Sequence, residues 1–550
     1  MTDASLAAAE RAAWRFRLPV VREAALCAGV ATVAASLLVW LAPPGGDLAA
    51  HEYQRSLFLL HGFTLWDNFW YAGRYAFVGY SVLYYPLAAL LGIALLAVLS
   101  VAVAAGGFAR LLEREWGRAA VWPGRSFALL WPGVILAGEL PLALGAALAL
   151  LSLLALQSGR RWIGAALIVL VLAASPVAFV LLAVVLAGMA LGRRPGLRAR
   201  GAMVPAVVLV LAAAAEGLAL HLFPTGTLGF PTGEAAQALL FCVYLFALTW
   251  RLDRARGLHG FMAVYLVVVV ATYAIPSGLG HDVARMRLLA FPIALLVVSL
   301  RRWRPLPAVV LALGLAASWN LFPLASSWAS SAADRTSRPE VWTAPVGYLR
   351  THLQTGYRVE AVDTIDHWPA LYLARARIPL VRGWFRQDDR PVASLLYRPS
   401  FTAAEYVAWL RRLGVSYVVL TNAPSDHSSL REASLIRSGR SGLRQVFLTP
   451  QVSIYAVPRP QSIVAGPGRP TVLALRESRV VVQVSRAGTY RLAVRWSPYW
   501  HASTGCLARR PDGMLGLRTR SAATVQIGFD VDARSLLDAF VGSPRENCAS

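Results

Sequence analysis

The chain contains no lysine: all 53 basic side chains other than histidine are arginine, set against 29 carboxylates. That absence, together with the abundance of alanine, points to a GC-rich coding genome of the actinobacterial kind. The net charge of +24 raises the question of nucleic acid. The arginines fall in short loops between apolar runs, which is the distribution of a membrane-topology signal and not of a nucleic-acid groove. Cysteine is nearly as scarce, with four residues in 550 and no Cys/His cluster at zinc spacing. A Walker loop and a dinucleotide fingerprint are both missing, which excludes a cytoplasmic nucleotide-driven motor. No removable signal peptide is evident. MTDASLAAAERAAWRFRLPVVRE reads as a charged lead-in to a full-length span.

What the chain has in quantity is apolar sequence: 57% hydrophobic residues and a mean hydropathy of +0.53. Several runs are long enough to cross a hydrocarbon core of roughly 30 Å, so the expected class is a polytopic α-helical membrane protein. Arg11, Arg15, Arg17 and Arg22 place the N-terminus in the cytoplasm. Helices are expected at about 24–40, 82–106, 204–223, 236–250, 261–275, 288–300 and 306–324. The stretches 125–160 and 161–193 are too long for one span each. They are interrupted at Gly138-Glu139-Leu140-Pro141 and Ser175-Pro176, so each is expected as a hairpin. The total is about eleven spans in a membrane domain over 1–325.

The stretch Pro43–Pro86 follows the first span, and its part over 43–80 is expected as the first outer loop. It gathers Asp47, His51, Glu52, Asp67 and Arg74 with Trp66, Trp70, Tyr71, Tyr75, Tyr80, Tyr84 and Tyr85. Rings alone would mark an interfacial anchor at headgroup level. Acids beside rings at a water–lipid boundary suit a site for an amphipathic substrate. Glu139, at the tip of an apolar hairpin, is expensive without a partner and stands as a second acid. His281, Asp282, Arg285 and Arg287 lie in the expected outer loop SGLGHDVARMR, where a lipid-borne phosphate would meet cations.

Beyond Ala325 no apolar run reaches spanning length. Alternating strand-like and helix-like segments predict an extracytoplasmic α/β domain over 326–460. Short strands split by Gly, Pro and Ser predict a β-sandwich over 461–550. Cys27 and Cys242 fall inside helices as packing residues. Cys506 and Cys548 fall in the outer region, where one disulfide is expected.

The acid that follows the first helix resembles the first outer loop of the GT-C superfamily of polytopic glycosyltransferases. The finer resemblance is to bacterial 6-pyruvoyl-tetrahydropterin-synthase-related membrane proteins, a label that implies no pterin chemistry here. It is carried by GGD, WDNFWYAGRY...YSVLYYP, GELPLALGAALALLSLLAL, RLGVSYVVLTNAP and SPYWHA, and it spans most of the chain. The resemblance implies sugar transfer from a polyprenyl-phosphate donor to an envelope glycan or glycolipid at the outer face of the cytoplasmic membrane. Asp47 is then the base. Glu52 and His51 orient the acceptor or hold a divalent cation. Arg285, Arg287 or Arg74 holds the phosphate, with Trp70, Tyr75 and His281 near the substrate. DLAAHEY lacks the adjacent acid pair of several GT-C branches, which leaves the metal open. Two other classes stay open: a transporter or flippase of a lipid-linked substrate, and a non-catalytic envelope assembly protein with a glycan-binding outer domain.

Overall fold

The structure, a computed structural model, describes residues 3–192, 203–250, 252 and 255–541. It divides into two compact units that do not follow chain order. The first comprises 1–45, 80–216 and 227–329; the second comprises 46–79, 217–226 and 330–550.

The first unit is helical. Among the described residues, eight helices are long and apolar enough to cross a membrane, including Arg22–Leu41, Leu140–Gln157, Met203–Leu222 and Leu306–Ala333. The chain is a multi-pass membrane protein. Against the eleven expected spans, the apolar helices Arg161–Ala174 and Pro176–Gly192 are shorter than the rest. The expected hairpin over 125–160 has a first arm of only ten residues, Val121–Leu130, followed by a short turn and Val134–Ala137. The two sequence interruptions sit where helices break: Glu139 precedes Leu140–Gln157, and Ser175 separates the two shorter helices. The expected helix over 82–106 is two, Tyr84–Leu91 and Ile93–Trp116, because Gly92 adopts φ 82° between them.

Small residues bring these helices close. A Cβ on Gly106 would stand 3.3 Å from the carbonyl oxygen of Ala24, and one on Gly188 would collide with the backbone of Phe261. Val33, Val210, Leu311 and Phe322 remain exposed, as side chains facing lipid would be. Cys27 and Cys242 are buried and unpaired.

The second unit begins with a difference from expectation. The segment expected as an outer loop is a helix, Leu48–His61, followed by a small antiparallel ladder of Trp66–Asp67 with Arg74–Tyr75. Its rings are not displayed at a headgroup boundary. Trp66, Trp70, Tyr71 and Tyr75 are all buried, and Trp66 and Tyr75 join the same apolar cluster as Tyr490, Trp500 and Ile527. Aromatic side chains offer the largest apolar area per residue, and here that area fills a core.

The region after 330 holds a four-stranded sheet in the order Val415–Thr421 between Arg358–Ala361 and Val452–Ala456, with Arg444–Leu448 outside. The first pair is parallel and the others antiparallel. Helix Ala403–Arg412 begins at a capping box of Thr402 with Glu405 and stops at Gly414, φ 78°. Among the described residues beyond 461, eight strands form two antiparallel four-stranded sheets whose inner residues share one core. Cys506 opens the strand Cys506–Arg509, but Cys548, its expected partner, lies outside the described residues.

Candidate active site

Asp47 occupies the N-cap position of helix Leu48–His61 but its side chain makes no capping hydrogen bond. An N-cap carboxylate ordinarily accepts from the second or third N–H of its own helix. This one accepts instead from the indole N–H of Trp384 at 2.8 Å. One turn along, His51 is fully buried with its ring centre 6.1 Å from that of Trp384. Trp384 belongs to the segment RGWFRQDD (Arg382–Asp389), which the sequence reading did not single out. Glu52 faces elsewhere: its side chain is 42% exposed and pairs with Arg375 at 3.1 Å.

The other sequence candidates of this segment knit the unit together. Trp70 donates to the carbonyl of Ala370 at 3.2 Å and packs on Tyr53 with 4.3 Å between ring centres. The hydroxyl of Tyr75 bonds Ser497 at 2.9 Å. Arg74 is 2% exposed, pairs with Asp388 at 3.0 Å and lies over the Phe385 ring at 3.7 Å. A guanidinium so enclosed is a structural cation, so its expected role at a lipid phosphate gives way to a role inside the unit. Asp67, also fully buried, accepts from Tyr53 and the Phe69 N–H, yet burial raises its carboxyl to about 6.

Charge is densest where the parallel strands Arg358–Ala361 and Val415–Thr421 end, the edge at which α/β sheets place ligands. The two following loops are joined by Asp426 N–H to Asp363 O at 3.0 Å. Arg382, 2% exposed, grips both oxygens of Asp389 at 2.8 and 2.7 Å and donates to Ser428 and Ser429. His367 bonds Asp363 at 2.7 Å; burial opposes its protonation, but Asp363 together with Asp426 outweighs burial and the imidazole's pKa is raised. Burial works against the Asp426 carboxylate too, yet contacts with His427 and Arg386 hold it well below the usual range. Burial lifts Glu432 to about 7, against the pull of Arg382. These acids escape a residue-by-residue reading because they lie on separate loops that only the parallel pairing brings together. The one local signal is the acid-rich run EAVDTIDH, which begins within strand Arg358–Ala361 and continues past its end.

The remaining candidates lie in the membrane unit. Glu139 and Arg285 form an ion pair, and Arg285 also grips Asp282 at 2.8 Å. The cost foreseen for Glu139 at a hairpin tip is therefore met by a cation, and the two residues form one cluster. Arg285 also lines a cavity of about 300 Å³ whose wall is otherwise almost wholly apolar, including Phe108, Leu142, Leu182, Phe261 and Leu289. Arg287 donates to Gln237, and His281 contacts the carbonyl of Gly229 at 3.2 Å on an exposed surface. Among the described residues no group of three or more His, Cys, Asp or Glu is placed to hold a metal ion.

No protein-family profile matches the chain, and none of the curated proteins does. Among solved structures, it is similar to the arabinofuranosyltransferase AftD from Mycobacteria at 18% identity and a TM-score of 0.48, covering 87% of this chain and 42% of that one. It is similar also to the oligosaccharyltransferase of Archaeoglobus fulgidus in its apo form, at 13% identity and a TM-score of 0.42, covering 72% of this chain and 69% of that one. The chain thus spans about two fifths of the length of AftD.

Proposed function

We propose that the protein is a GT-C-type membrane glycosyltransferase. It moves a sugar from a polyprenyl-phosphate donor to an envelope glycan or glycolipid at the outer face of the cytoplasmic membrane. The 6-pyruvoyl-tetrahydropterin-synthase-related membrane proteins stand as its nearer relatives. The observation that carries the reading is the Asp47 carboxylate, turned away from the helix it begins and held by an indole N–H. In the reaction the acceptor hydroxyl gives its proton to Asp47 while its oxygen attacks the anomeric carbon. The bond from that carbon to the phosphate oxygen breaks, and the lipid phosphate leaves with the electron pair. The apolar cavity of the membrane unit suits an isoprenoid tail, and Arg285 suits the phosphate, its orientation set by Glu139 and Asp282.

The test is transfer by the purified protein from a panel of polyprenyl-phosphate sugars. Arg285→Ala is expected to raise the donor KM and lower turnover by about 10²-fold, with partial recovery in Arg285→Lys. Unchanged kinetics in Arg285→Ala would remove the donor site from this cavity.

The same reading places residues 330–550 outside the cell. Leu430, 57% exposed, gives a reporter position. A cysteine introduced there is expected to react with a membrane-impermeant maleimide in intact cells. Reaction only after permeabilisation would reverse the orientation.

A further inference from the structure

Asp366 belongs to the acid-rich run EAVDTIDH but has no part in the contacts described above. It sits in the loop that follows strand Arg358–Ala361, and Gly46 is what lets it approach Asp47. A Cβ on Gly46 would stand 3.2 Å from Oδ1 of Asp366, so this carboxyl lies against the backbone immediately before Asp47. Asp366 is 2% exposed, and among the described residues its Oδ2 has no hydrogen-bond partner. The same is true of Thr364 Oγ1 and Trp368 Nε1, at 1% and 3% exposure. Buried polar atoms are almost always paired, and each orphan costs about 1–3 kcal/mol. Three such atoms fall within five residues, and Asp366 is the one set against the backbone beside Asp47.

The groups that act on Asp366 are Asp334, Asp47, His367 and the hydroxyl of Ser331. Burial first, then Asp334 and more weakly Asp47, raise its carboxyl to about 6, against Ser331 and His367. Asp47 accepts from Trp384, whereas Asp366 keeps a buried carboxyl oxygen free to accept from a ligand.

We propose that Asp366 is the second carboxyl of the Asp47 site and binds the hydroxyl adjacent to the one that reacts, so that the acceptor is a vicinal diol of a sugar or polyol. This rests on the transferase reading above. A lone hydroxyl would need only Asp47. A buried carboxyl oxygen beside it, with no donor of its own, recognises a neighbouring hydroxyl, and leaving it unpaired rejects a deoxy analogue.

Two measurements on the full-length protein in detergent test the proposal. In the first, transfer from the polyprenyl-phosphate sugar panel is followed with methyl glycosides and their deoxy analogues as acceptors. Asp366→Ala is expected to lose about 10-fold or more with the diol and to level the diol and deoxy acceptors. Asp366→Asn, which keeps an acceptor oxygen, is expected to retain more of the wild-type rate. Wild-type preference for the diol in Asp366→Ala, with Asp47→Asn inactive, overturns the proposal and leaves the transferase standing. Full activity of Asp47→Asn and Asp366→Ala alike overturns both.

The second measurement needs no substrate. The folded carboxyl titrates above its ordinary value of 3.8, so its contribution to stability is present at low pH and lost as pH rises to about 6. Wild type should therefore lose melting temperature relative to Asp366→Asn across that window. A difference that does not change with pH overturns the enclosed carboxyl on which the proposal stands.

Discussion

Asp47→Asn is expected to lower sugar transfer by about 10²–10⁴-fold, the usual cost of removing a general base. The substitution keeps size and keeps an oxygen able to accept from Trp384 Nε1, so the contact at 2.8 Å survives. The side chain makes no capping hydrogen bond, so helix Leu48–His61 loses none when the charge goes. Melting temperature and detergent behaviour should match wild type while initial rates at saturating donor fall. Near-wild-type rates in Asp47→Asn would end the transferase reading.

The second large effect is on stability. Arg382→Ala removes the cation that two oxygens of Asp389 share at 2.8 and 2.7 Å, with Asp363 and Glu432 also within 4 Å. All these groups are buried or nearly so, and a carboxylate deprived of a buried partner typically costs about 3–5 kcal/mol. For a unit of this size that corresponds to a fall of about 6–20 °C in melting temperature. Arg377→Ala provides the contrast. Arg377 also holds a carboxylate, Glu477 at 2.8 Å, but its side chain is 51% exposed, and surface pairs contribute about 0–1 kcal/mol. Equal melting temperatures for the two variants would show that the Arg382 network does not hold the unit together.

Much of the membrane unit was legible because hydropathy and punctuation are local properties. Glu139 and Ser175 mark breaks that the structure contains, whereas the pairing of Glu139 with Arg285 joins residues that the sequence keeps apart. Span length was read less well. Pro and Gly around Trp131 make a 3₁₀ turn inside one apolar run, and a periodicity count cannot tell that from a hairpin tip. The aromatic segment misled for a different reason. Composition cannot distinguish rings that anchor a loop in headgroups from rings that fill a core, since both burials reward the same residues. Trp66 makes the second choice by packing on Trp500 and Phe529 at 5.3 and 4.9 Å. Asp366 and Trp384 could not be paired with Asp47 from sequence, because more than 300 residues separate them.

That packing has a consequence for biosynthesis. Tyr75 bonds a residue 422 positions later, and Asn68 bonds the carbonyl of Arg476, 408 positions later. At a translation rate of 5–20 residues per second, the segment waits about 20–80 s for its partners. Throughout that interval Trp66, Trp70, Tyr71 and Tyr75 are synthesised but unhoused, beside a helix already destined for lipid. Strands made more than 400 positions later therefore close a core begun by this segment, and a chain released before them would leave those rings available to aggregation or to a holding chaperone.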